Sequence, residues 1–117
     1  MAKWTRSQRE TFEALRRVYL ADLPARIADV RDAAAAAVRA GAPPRALEEL
    51  RDLAHRLVGS SAIFGLPKLS AAARELEDRA AGPIEGATGA AGLEELAAAV
   101  ESVWRETDAA RRDEPRR

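Results

Sequence analysis

No cysteine occurs in the 117 residues, which rules out disulfide staples and thiolate metal sites. There is a single histidine, too few for a multi-histidine metal centre, so no metal site is expected. Aromatic residues number five, while alanine supplies much of an apolar fraction of 47%. Small side chains of that kind suit closely packed helices better than strands rich in Val, Ile, Tyr and Phe. Net charge is absent as well: nineteen basic and nineteen acidic residues cancel, leaving no overall attraction toward nucleic acid or an anionic membrane. The start, Met1-Ala2-Lys3-Trp4-Thr5-Arg6, has no apolar run behind its charge, and no window approaches the length of a membrane span. These absences leave a cytoplasmic helical domain with a protein partner. Lysine is scarce beside arginine, two against seventeen, a bias common in GC-rich bacterial genomes.

The length fits one domain, residues 1–117, with a helical body over about 6–110 and a charged tail, 111–117, that frays. Thr5 and Ser7 each precede Gln8 and Glu10 by three residues, a doubled capping-box signal for a helix starting near residue 6. Asp22 is a good N-cap and Pro24 suits a first turn, so a second helix is expected from about 23 to 40. Gly41 and Pro43-Pro44 mark a turn. Leu47, Leu50, Ala54, Leu57, Ser61 and Phe64 then repeat at three-four spacing in a third helix. Gly65 stops that helix, Pro67 starts a fourth, and Gly82-Pro83 end it. The stretch from Gly82 to Gly92 holds four glycines and reads as the longest loop, with a fifth helix beginning near residue 90. The sum is an all-α fold: an up-and-down four-helix bundle with an additional N-terminal helix across one end or side.

The histidine does not belong to the apolar stripe of its helix. At about 100° per residue, His55 projects roughly 130° from the mean direction of the six stripe residues, toward solvent. Gly59 follows one turn later near the pole opposite the core, where glycine costs about 1 kcal/mol relative to alanine. A missing side chain there keeps the approach to the ring open, and Ala62 keeps the same lane low. Ile63 also points outward, which makes the exposed face partly apolar and suited to docking. Arg51, one turn before His55, and Arg56 beside it can favour a neutral, nucleophilic imidazole and then a phosphoryl group on it. Taken singly, each feature has an ordinary reading: a surface histidine, a glycine for helix packing, solvated charges. A helical assembly domain without signalling chemistry would then be the alternative, with a buried histidine face and a tight oligomer.

The run from Leu53 to Leu69, LAHRLVGSSAIFGLPKL, resembles the signature of histidine-containing phosphotransfer domains, AHxLKGSSxxxGxxxL. Ala73, Leu76 and Glu77 resemble that family's downstream small residue and Leu-Glu pair, and Leu23-Pro24-Ala25-Arg26-Ile27 extends the likeness toward the N-terminus. The resemblance implies a phosphorelay carrier that is not itself an enzyme. His55 would take a phosphoryl group from the aspartyl phosphate of a receiver domain, free or part of a hybrid histidine kinase, and pass it to another receiver. The receiver would bring Mg²⁺, and the carrier would need no cofactor and act as a monomer. One departure stands out: the family usually has lysine three residues after the histidine, and this chain has Val58. Arg51, Arg56 or Lys68 would then have to supply the charge, with Gly59, Ala62 and Ile63 meeting the partner. Otherwise the domain would be a docking module that binds receivers or kinases without phosphotransfer.

Overall fold

The computed structural model describes residues 3–113. Among these there are four helices and no strand: α1 (Arg6–Arg39), α2 (Pro44–Ile63), α3 (Pro67–Ala81) and α4 (Gly86–Arg112). Each packs side by side with two others, α1 with α2 and α4, and α3 with α2 and α4, and the diagonal pairs are further apart. That closed ring, joined by short connections, is an up-and-down four-helix bundle.

The additional N-terminal helix does not exist as a separate element. The capping box forms, with Gln8 N donating to Thr5 Oγ1 at 3.1 Å and Thr5 N donating to Gln8 Oε1 at 2.8 Å. From there the chain runs unbroken through Pro24 to Arg39. A proline inside a helix costs about 3 kcal/mol. Burial outweighs it, because Leu20, Leu23, Ile27 and Val30 form one continuous buried stripe across the proline, each side chain being worth about 1.5–3 kcal/mol. Asp22, expected as an N-cap, instead accepts from Arg26 Nε at 2.8 Å, one turn further along the same helix. At 34 residues, α1 is about 51 Å long and overhangs the others. Its first turns lie over the end of α2, where Phe12 and Tyr19 stack on Phe64 with centroids 5.5 and 4.6 Å apart.

The expected loop from Gly82 to Gly92 is also shorter in the structure, since α4 already begins at Gly86. Gly86 takes φ +66° at the start of the helix with open space around it, while Gly89 and Gly92 lie in helical backbone beside neighbouring side chains. A Cβ on Gly89 would stand 3.5 Å from the Ile84 side chain, and one on Gly92 would stand 2.7 Å from an Arg79 guanidinium nitrogen. Buried Ala90 and Leu93 anchor the segment to the core. The α2–α3 corner forms where the sequence places it. Gly65 takes φ +76°, its N–H donates to Ala62 O, and the Leu66 N–H donates to Ser61 O, closing the end of α2 in a Schellman motif. Of the tail, residues 111 and 112 complete α4, while 114–117 lie outside the described residues.

Candidate functional site

The surface of α2 that carries His55 is held rigid from below and from both sides. Leu50, Ala54, Leu57 and Ser61 are buried, as the three-four spacing requires, with Leu47 and Phe64 half-buried at the ends. On one flank, the Tyr19 hydroxyl of α1 lies 2.8 Å from Ser60 Oγ. Burial raises the Tyr19 phenol above its usual range, against smaller opposing effects of Ser60 and Arg26, so it stays neutral and acts as a structural hydrogen-bonding group. On the other flank, buried Ser70 of α3 donates its hydroxyl to the Val58 carbonyl at 2.8 Å. The helix that presents the histidine therefore has little freedom to twist.

His55 itself is 74% exposed, and its Nδ1 lies 2.6 Å from Oε2 of Glu77, a residue of α3 that is only 20% exposed. A carboxylate can only accept, so Nδ1 carries the proton of the neutral ring. That assignment leaves Nε2, on the far side of the imidazole, with its lone pair free and directed away from Glu77. A nucleophile aimed at solvent and oriented from behind by a carboxylate is the arrangement of an activated imidazole. Glu77 was visible in the sequence only as half of the Leu76-Glu77 pair; its partner is 22 residues away, and helical periodicity within one element cannot find it.

The other candidate residues are distributed unevenly around this pair. Gly59, Ala62 and Ile63 share the exposed face of α2 with His55, Ile63 being 68% exposed, and a Cβ built on Gly59 would meet nothing within 4 Å. Arg51 lies on the same face one turn earlier, exposed and without an ion pair among the described residues. Arg56 instead lines the groove between α1 and α2 together with Asp22, Arg26 and Asp29. Lys68 lies at the far end of α3, in a groove with Arg16, Glu106 and Arg111. It is nine residues, roughly 13 Å of helix and half a turn, away from Glu77, and so is not brought to the histidine. Val58, in the position where the resembling family carries lysine, is 7% exposed and belongs to the core.

Among the described residues no cluster of three or more potential ligands is placed to hold a metal ion, and no helix is long and apolar enough to cross a membrane. Searches of curated proteins and of solved structures found no match to this chain. A family model does match: that of the Hpt domain, over residues 14–103. The match takes in all of α2 and α3, most of α1 and α4, and both members of the His55–Glu77 pair. The chain belongs to the Hpt domain family.

Proposed function

We propose that this domain is a phosphorelay intermediate whose acceptor atom is Nε2 of His55. Hpt domains are phosphocarrier modules that work with receiver domains and histidine kinases, and the observation that supports the reading here is the His55 Nδ1–Glu77 hydrogen bond. In the forward step the Nε2 lone pair forms an N–P bond to the phosphoryl group of a receiver aspartyl phosphate. The acyl O–P bond breaks, and its electron pair leaves with the aspartate carboxylate. The ring becomes a cation, and Glu77 stabilises it through the proton on Nδ1. A protonated phosphoimidazole is also the better leaving group, so the same contact serves the onward step to a second receiver. Arg51 is the cation on the histidine's own helix that can reach the phosphoryl oxygens.

Gly59, Ala62 and Ile63 form the docking face. On α1, whose Arg16 and Tyr19 hold Phe64, Leu15 and Val18 are further exposed apolar side chains. Mg²⁺ is brought by the receiver, and residues 1–117 act as one cytoplasmic module. The buried Val58 favours a second reading, in which the domain docks receivers or kinases but carries no phosphate. The two separate on whether a phosphorylated receiver transfers label to the wild-type protein and not to His55→Gln. Receiver binding without label on the wild type would establish the docking module instead.

A further inference from the structure

The seam between α2 and α3 is crossed twice near the imidazole. Ser70 reaches the Val58 carbonyl at 2.8 Å, and Glu77 reaches the His55 ring at 2.6 Å. Between those two residues, at i, i+4 and i+7 with Ser70 and Glu77, stands Arg74; on a helix the three fall within about 60° of one another. Arg74 follows buried Ala73, is exposed, and makes no ion pair among the described residues. It occupies the turn of α3 that lies alongside the segment from His55 to Val58. That is the segment in which buried Val58 offers no charge.

We infer that Arg74 supplies, from the neighbouring helix, the positive charge that holds a phosphoryl group on His55. The inference rests on the phosphocarrier reading and adds a residue to it. Arg51 stands one turn before His55 on α2, and Arg74 stands on the opposite, Gly59-ward side. A phosphoryl group on the exposed Nε2 would lie between two guanidinium groups, each able to donate two parallel hydrogen bonds to its oxygens. The remaining cations of these two helices are committed elsewhere: Arg45 to Glu49 at the start of α2, Arg56 to the groove beside α1, Lys68 to the far end of α3, and Arg79 to its packing on Gly92. Glu77, one turn after Arg74, also favours a guanidinium held near the ring.

The test compares wild type, Arg74→Ala and Arg74→Lys, phosphorylated in parallel by phosphoramidate, which needs no protein partner, and by a phosphorylated receiver. Loss of one charge-assisted contact is expected to slow labelling or shorten the phosphohistidine lifetime by roughly tenfold or more, with partial recovery in Arg74→Lys. The midpoint of thermal unfolding should stay as in wild type, since Arg74 is exposed and outside the core, and the loss should appear with phosphoramidate as well as with the receiver. Wild-type rates and lifetimes in Arg74→Ala would overturn the inference while leaving His55 as the carrier. A wild-type protein that neither reagent labels would overturn the carrier reading and this inference with it.

Discussion

Nδ1 of His55 and Oε2 of Glu77 lie 2.6 Å apart across the α2–α3 seam, joining an exposed imidazole to a carboxylate that is only 20% exposed. That contact sets the tautomer, and its removal should be visible spectroscopically before any chemistry is measured. Imidazole ¹⁵N NMR of the wild type is expected to show the Nδ1-protonated form. Glu77→Ala should lose that preference and transfer phosphate about 10- to 100-fold more slowly, the equivalent of one charge-assisted hydrogen bond. Glu77→Gln keeps an acceptor without the charge and should fall between the two.

Gly59 has open space where a Cβ would be. Gly59→Ala is therefore expected to fold normally and to gain up to about 1 kcal/mol in denaturant unfolding. Gly59→Gln should fold as well but bind and react poorly with receivers. Normal receiver binding by Gly59→Gln would show that the open lane beside the ring has no part in docking.

Pro24 tests the continuity of α1. Replacing it by alanine restores a backbone donor inside a helix that the structure shows to be unbroken, so Pro24→Ala should raise stability, by up to about 3 kcal/mol. Phosphotransfer should be unchanged. If α1 were two helices meeting at Asp22, with Pro24 in a first turn, the same substitution would bring little or no gain.

Tyr19 links α1 to the α2 surface through Ser60. Tyr19→Phe keeps the stacking on Phe64 and should cost about 0.5–1.5 kcal/mol. Because the folded phenol is raised above the ordinary value of 10.0, its contribution is present below that pH and is lost as pH rises through the folded value. The free energy of unfolding, followed from pH 8 upward, should accordingly fall more steeply in wild type than in Tyr19→Phe.

Much of this arrangement could be read from residue order alone. The stripe from Leu50 to Ser61 placed His55 outside the core, and Gly65 with Pro67 marked the corner, because these signals are local to one helix. The continuity of α1 was not legible: Asp22 and Pro24 carry good local start signals, and only the tertiary burial of Leu20, Leu23 and Ile27 overrides them. The glycines of 86–92 likewise suggest a loop, and only the burial of Ala90, Leu93 and Ala97 against the other helices holds the segment as the start of α4. Glu77 and the separation of Lys68 from the ring depend on the register between two helices, which no single-helix projection contains.

The most direct test of the account is acid-labile phosphorylation of His55 by a phosphorylated receiver, followed by mass spectrometry of the modified peptide. The account predicts label on His55, transferable to a second receiver, destroyed by mild acid and missing from His55→Gln. Equal label on His55→Gln, or no label on a wild-type protein that binds the receiver, would contradict it.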